Sequence, residues 1–415
     1  MILDIFLFAA GLAVYAGYGL SGLIALLAAV LFTFLMGRLI PAKPRAMDFG
    51  IAVIALALVF GKLQPVFGLS LGAPLGFSYL ALRLISYLAD VRRGKYPPET
   101  DLFRFLLCMT FLPAAFLGPI ERYDRMHAAL CERTPICWDS LTRGLARFLW
   151  GLFKKLCIAA RLAVIIGTVS ADPEQYRGAY ALLAMMAYSL QLYADFSGGM
   201  DMVLGICRML GITLSENFAA PFSSETVSEF WRRWHITLGS WIRDYVYIPL
   251  GGSRKGALRR VFNLLIAFLV SGLWHGEKYL LWGLLQGLLV ALGDRLKTGS
   301  RTLNRFLTFL PVSILWAFFI WPDTKTALAM IVSLCSPAVF RLSGLGLEIG
   351  EWIVLILSSL ALWLCGRYGE ALGRRFDRCS PAAKTAVLCT TALVILVFGM
   401  YGIGFRVDAF IYSRF

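Results

Sequence analysis

The sequence predicts an all-α, polytopic integral membrane protein with about eleven to thirteen membrane-associated helices, counted from apolar runs of bilayer length. Three observations predict it. Apolar residues make up 59% of the 415 positions and charged residues only 16%, with a mean hydropathy of +0.72. A water-soluble surface cannot be built from that supply. Apolar runs about as long as a bilayer is thick recur along the chain, and only a helix satisfies its own backbone across such a run. The basic excess, a net charge of +15, gathers between the runs: Arg38, Lys43 and Arg45; Arg92, Arg93 and Lys95; Arg254, Lys255, Arg259 and Arg260; Arg295, Lys297 and Arg301. That is the pattern of cytoplasmic loops, not of a nucleic-acid face, so no nucleic-acid partner is expected. The chain reads as one domain over 1–415, with N-terminal spans at 1–70, a motif-bearing core at 71–300 and C-terminal spans at 301–415.

The elements follow in order. Spans are expected at 3–19 and 21–40, parted by Gly19-Leu20-Ser21-Gly22, and at 51–67. The start lacks a basic n-region, so no cleavable signal peptide is expected. The next helix, 76–90, carries Arg83 and Asp90 within an apolar pattern, which turns it toward the bundle interior. A span at 102–117 stops at Gly118-Pro119. Residues 131–147 read as interfacial, and 148–169 as a span interrupted by Lys154 and Lys155. Residues 178–194 form a span leading into the Ser/Gly-rich stretch Asp195-Phe196-Ser197-Gly198-Gly199-Met200-Asp201, which reads as a break before a further helix to about 212. Apolar segments at 279–293, 304–321, 326–340, 350–365 and 385–404 complete the chain, and the ending Phe410-Ile411-Tyr412-Ser413-Arg414-Phe415 is suited to docking at the interface. The nine cysteines show no metal spacing, and no metal site is expected.

Chemistry points to 229–275, which holds two of the three histidines, each beside a tryptophan. Read as one helix, 231–245 places Trp231, Trp234, His235, Leu238, Trp241, Ile242 and Tyr245 on one face. His235 then points inward, either as a satisfied core histidine or as a functional group. His275 lies fifteen steps beyond Arg260, about 22 Å of helix, within a bilayer core of about 30 Å. Basic clusters flank the double run 260–297, so both ends face the cytoplasm and Trp274-His275-Gly276 forms the tip of a hairpin. An ionisable group at membrane depth is a functional candidate; the alternative is a polar tip that reaches the far interface. Asp195 and Asp201 can orient a histidine or bind a cation, or instead pair with arginine or cap a helix. Glu229, Trp234, Arg243, Asp244 and Trp274 join them as supporting residues lining the site. His127 reads as a solvated loop residue.

No nucleophile elbow, phosphate-binding loop or zinc pattern is present. What remains is a histidine acting as general base on a hydroxyl acceptor. Its donor is an activated thioester drawn from the cytoplasm by the basic loops. A transporter using the same buried polar groups is the alternative of a different class.

These motifs resemble those of the membrane-bound O-acyltransferase (MBOAT) family, in its bacterial alginate O-acetyltransferase-like branch. They are Gly76-Phe77-Ser78-Tyr79, the stretch Ser86-Tyr87-Leu88-Ala89-Asp90, Gly118-Pro119-Ile120-Glu121-Arg122-Tyr123, Asp195-Phe196-Ser197-Gly198, Ser215-Glu216-Asn217-Phe218, the block from Glu229 to Gly252, Trp274-His275-Gly276 and the aromatic ending. The resemblance implies a ring of helices around a funnel or tunnel, with His275 matching the catalytic histidine and His235 the second motif histidine. It implies transfer of an acyl group, usually acetyl, to hydroxyls of an extracellular or envelope polysaccharide. No bound cofactor is implied; an acyl thioester, acyl-CoA or an acyl carrier protein, serves as co-substrate. A separate extracytoplasmic acyltransferase partner, contact with membrane lipid and a bacterial cytoplasmic membrane location complete the expectation. The Pro249-Leu250-Gly251-Gly252 turn favours this branch over D-alanyl transfer to teichoic acid, its nearest competitor.

Overall fold

The computed structural model describes residues 2–68, 76–293, 297–336 and 344–401. Asp294, Arg295 and the aromatic ending from Phe410 lie outside them. The architecture is all-helical, with no strand among the described residues beyond an isolated bridge between Phe218 and Trp234.

Three apolar helices open the chain: α1 (Ile2–Tyr18), α2 (Leu20–Leu39) and α3 (Arg45–Leu63). They expose large apolar side chains such as Phe6, Leu35 and Leu56. Faces of that size have no place in water and suit a lipid surface. Helix α4 (Phe77–Arg92) is their opposite, with every residue from Ser78 to Val91 buried, as its embedded charges predict. Arg83 is buried within it and donates to the carbonyls of Met109, at 3.2 Å, and Cys108.

The predicted span at 102–117 is instead two short helices, α5 (Leu102–Thr110) and α6 (Leu112–Phe116). Phe111 leaves the helical region, with ψ at 105°, two residues before Pro113, whose ring cannot continue the preceding turn. Helix α7 (Tyr123–Cys131) follows, and then one long helical run: α8 (Trp138–Phe153), a π-turn over Lys154–Ala159 and α9 (Ala160–Ala171). The π-turn is a local widening of the kind found at functional or strained points.

Helix α10 (Ala179–Met209) is unbroken for 31 residues, which corrects the break expected at 195–201. The glycines there serve packing instead. A Cβ on Gly198 would lie 2.8 Å from the Gly151 carbonyl oxygen of α8, and one on Gly205 would lie 2.6 Å from that of Gly144. The two backbones touch, and only glycine fits the seam.

Helices α11 (Val227–Arg233) and α12 (Ile236–Ile242) lead through a second π-turn, Arg243–Tyr247, to α13 (Ala257–His275) and α14 (Leu280–Gly293). After them come α15 (Arg301–Leu315), α16 (Ala317–Ile320), α17 (Thr324–Val332), α18 (Ile349–Arg378) and α19 (Pro381–Phe398). Six helical stretches among the described residues are long and apolar enough to cross a bilayer: α2, α3, α13, α15 with α16, α18 and α19. Two shorter apolar stretches, Ile2–Tyr18 and Thr324–Cys335, accompany them.

Candidate active site

The stretch read from sequence as one helix from 231 to 245 is not continuous. Helix α11 begins with a cap in which Thr226 Oγ1 accepts from the Glu229 amide at 3.1 Å. Glu229 answers by accepting from the Glu225 amide at 2.8 Å and from Arg233 Nη2 at 2.6 Å. After Arg233 the chain becomes extended and pairs with residues 217–219. Ala219 N donates to Arg233 O, and Ile236 N donates to Asn217 O, both at 3.0 Å.

His235 therefore sits between two helices in the left-handed region, with φ at 45°. For a residue with a Cβ that conformation costs about 1–2 kcal/mol, so the surroundings must impose it. They do so through Thr237. Its amide and its hydroxyl both donate to Asn217 Oδ1, at 2.9 and 2.7 Å, and its hydroxyl accepts from the Ile120 amide at 2.9 Å. Three motif segments, at 118–123, 215–218 and 229–252, meet at this one side chain. No local propensity favours the break, which is why helical periodicity misses it.

The second histidine ends α13, and the expected hairpin with Trp274-His275-Gly276 at its tip is observed. Gly276 turns the chain with φ at 133°, Glu277–Tyr279 form one 3₁₀ turn, and α14 returns. The two helices touch through glycine. A Cβ on Gly272 would stand 2.5 Å from Tyr279 O, and one on Gly283 would stand 2.4 Å from Phe268 O. His275 is buried, its ring 5.7 Å from Trp282 and 5.6 Å from Phe319, centroid to centroid.

Both histidines line one chamber of about 460 Å³. Trp231, Trp234 and Trp282 form its inner wall. Arg232, Arg243 and Ser253 are exposed and Arg260 half-buried where the chamber meets solvent. The Trp274 ring bridges the pair, 6.2 Å from His235 and 4.8 Å from His275. Its indole N–H donates to Ser78 O at 3.3 Å, which ties it to α4. Phe196 of α10 meets the His235 ring edge to face at 4.9 Å.

The remaining candidates lie elsewhere. Asp195 is ion-paired with Lys155 at 2.6 Å, and Asp201 with Lys154 at 2.5 Å and Arg147 at 2.9 Å. Arg147 reaches on to Glu216 at 2.6 Å. Both lysines of the π-turn point inward, so Lys154, Lys155 and Arg147 meet Asp195 and Asp201 between α8 and α10, and Arg147 carries the network out to the exposed Glu216 beyond α10. Neither aspartate lines the histidine chamber. Glu229 closes the start of α11. Asp244 holds Arg243 at 2.8 Å and Arg122 at 3.5 Å, so only Arg243 of that pair borders the chamber. His127 lies on α7, 4.0 Å from a Glu99 carboxylate oxygen.

Sequence reasoning missed Trp282, Thr237 and Arg260 as parts of the site. Trp282 lies seven residues past His275. An aromatic near the start of the hairpin's return helix is the signal that points to it.

The model of the MBOAT, membrane-bound O-acyltransferase family matches residues 78–322, which include every residue of the chamber. The chain is 33% identical to the probable alginate O-acetylase AlgI of Pseudomonas putida, over 85% of this chain and 76% of that protein. It is 29% identical to the peptidoglycan O-acetyltransferase of Helicobacter pylori, over 68% of this chain and 60% of that one. It is 28% identical to the teichoic acid D-alanyltransferase of Bacillus subtilis, over 59% and 66%. Against four further alginate O-acetylases the match spans between 59% and 63% of their length. The similarity covers the hairpin, the clamped left-handed histidine and the chamber between them, and the chain belongs to the membrane-bound O-acyltransferase family.

Proposed function

We propose that this protein moves an acyl group, acetyl in the first instance, from a cytoplasmic thioester to hydroxyls of an extracellular or cell-envelope polysaccharide. The observation that carries the reading is the single chamber bordered by two buried histidines within and three arginines at its solvent side. Guanidinium groups pair with phosphate in fixed geometry, which suits a coenzyme A thioester. They also raise the local concentration of any anionic donor, a carrier protein included.

His275 is the general base. Its imidazole takes the proton of the acceptor hydroxyl while that oxygen attacks the thioester carbonyl carbon. Collapse of the tetrahedral species breaks the carbon–sulfur bond, and the thiolate leaves with the proton returned by the imidazolium. His235, held rigidly by Thr237 and Asn217, shapes the other side of the chamber. The aromatic wall keeps water from the thioester, which limits wasteful hydrolysis. The proposed setting is a bacterial cytoplasmic membrane, with an extracytoplasmic acyltransferase taking part in delivery to the polymer.

The relatives named for polysaccharide and peptidoglycan O-acetylation support an acetyl group. The similarity to a teichoic acid D-alanyltransferase supports a second reading, D-alanyl transfer from a carrier protein. Mild alkaline release followed by mass measurement separates them, since one liberates acetate and the other D-alanine. The test is the ester content of envelope polymer in a deletion strain complemented with wild type or His275→Ala. We expect ester to disappear with His275→Ala at equal protein level. Equal content in both strains would sink the reading.

A further inference from the structure

A tetrahedral species in acyl transfer carries negative charge on the former carbonyl oxygen, so the chamber needs a hydrogen-bond donor beside its base. Helix α13 carries a line of side chains that leads to one. Arg260, Leu264, Ala267, Phe268, Ser271 and His275 all line the chamber. Their spacing puts them on one face of the helix. That face runs from the solvent side to His275, about 22 Å at the helical rise. Ser271 is its polar residue between those two ends.

Hydroxyls inside helices are ordinarily satisfied by carbonyls of the preceding turn. Thr110, Thr142 and Thr168 do this at 2.8, 2.9 and 2.9 Å. Ser240, which also lines the chamber, donates to Thr237 O at 2.9 Å. Ser271 makes no such bond and, among the described residues, has no other partner. Its oxygen is open rather than sealed, and the chamber is the space it borders. His275 follows four residues later, so the two side chains stand on adjacent turns of one face with Cβ atoms about 5–6 Å apart. That gap admits a carbonyl group, since a reacting centre must lie about 3 Å from both its nucleophile and its oxyanion donor. A donor fixed on a helix turn needs no reorganisation when charge develops.

We propose that Ser271 is a catalytic residue of this acyltransferase, its hydroxyl donating to the thioester carbonyl oxygen as that oxygen becomes an oxyanion. This rests on the acyl-transfer reading above. A donor that enters past Arg260 follows the α13 face, and its thioester meets Ser271 and His275 at the far end. His275 takes the proton of the acceptor hydroxyl while the acceptor oxygen bonds to the carbonyl carbon. The carbonyl π electrons move onto the carbonyl oxygen, and the Ser271 O–H donates to it. When the carbon–sulfur bond breaks the electrons return, the thiolate leaves, and Ser271 keeps its proton.

The test uses membrane vesicles from cells that make the native polymer, with labelled acetyl-CoA as the probe donor and initial rates measured against its concentration. Ser271→Ala removes the hydroxyl and little else, and alanine is the stronger helix former, so α13 is not weakened. It is expected to lower kcat by about 10²–10³-fold, with the donor KM close to wild type, because the bond strengthens in the transition state and not the ground state. Ser271→Thr keeps the hydroxyl at the same position and is expected to recover most of that loss. Thermal unfolding of the purified variants, with kcat taken per folded protein, keeps a change in folding apart from a change in chemistry.

Wild-type kcat in Ser271→Ala overturns the proposal. A raised donor KM with unchanged kcat places the hydroxyl on the bound donor in its ground state and overturns the oxyanion role. An equal loss in Ser271→Ala and Ser271→Thr marks the effect as packing and overturns it too. His275→Ala in the same vesicles separates the two layers. Activity surviving His275→Ala defeats the acyl-transfer reading itself, whereas loss there with a fully active Ser271→Ala defeats only the oxyanion assignment.

Discussion

The clamp on His235 makes a quantitative claim about Thr237. Its hydroxyl accepts from the Ile120 amide at 2.9 Å and donates to Asn217 Oδ1 at 2.7 Å, with all three residues buried. Thr237→Val keeps the shape and removes both bonds, so no cavity contributes. The Ile120 amide is then buried without an acceptor, at about 1–3 kcal/mol, and one further bond of about 1 kcal/mol is lost. Asn217 Oδ1 still accepts from the Thr237 amide, so the break between α11 and α12 survives in weakened form. The expected cost is about 2–4 kcal/mol, placed beside a histidine whose left-handed conformation is held by the same contacts. Thr237→Ser keeps both bonds and loses one methyl group, about 0.8 kcal/mol. Fluorescence-monitored thermal unfolding of purified protein, with polymer ester content measured in parallel, compares the two. Thr237→Val should unfold well below Thr237→Ser and lose most ester formation. If the two variants unfold together and acylate alike, the clamp does not position His235 and the reasoning fails.

Two further outcomes follow from packing and charge. Gly283→Ala sets a methyl group 2.4 Å from the Phe268 carbonyl oxygen, so α13 and α14 must part. Overpacking of that kind costs about 1–3 kcal/mol, and ester content should fall because His275 ends α13; a variant with wild-type ester content and thermal stability would show the seam to be loose. Lys154→Met leaves Asp201 with Arg147 as its remaining partner at 2.9 Å, so the cost falls below the about 3–5 kcal/mol of a buried charge left wholly unpaired. The double variant Lys154→Met/Asp201→Leu should recover much of that in a thermal unfolding assay, and a double variant no better than the single would show that the pair is not coupled.

Much of this protein can be read from its residues because a bilayer leaves few options. Apolar runs had to be helices, and basic clusters between them marked their ends. Counting from Arg260 placed His275 at a hairpin tip, since rise per residue is fixed once a helix is given. Arg83 and Asp90 within an apolar pattern announced α4 as an interior helix. These are local or periodic signals, and they survive folding.

What tertiary structure alone decided depends on contacts between distant segments. Helical spacing from 231 to 245 suggested one helix, but residues 217–219 pair with 233–236 and divide it at His235. The stretch from Asp195 to Asp201 looked like a break, yet α10 runs through it because its glycines meet the backbone of α8. Asp195 and Asp201 took their partners from Lys155, Lys154 and Arg147, cations brought inward by a π-turn that no pattern announces. Trp282 joined the chamber only when the hairpin closed. Composition and spacing determine what each segment is, because those properties act within a few residues. Which segments touch is decided by hydrogen bonds and backbone contacts between residues distant in the chain, from Ala219 with Arg233 to Ser78 with Trp274, and in this protein those contacts shape the chamber.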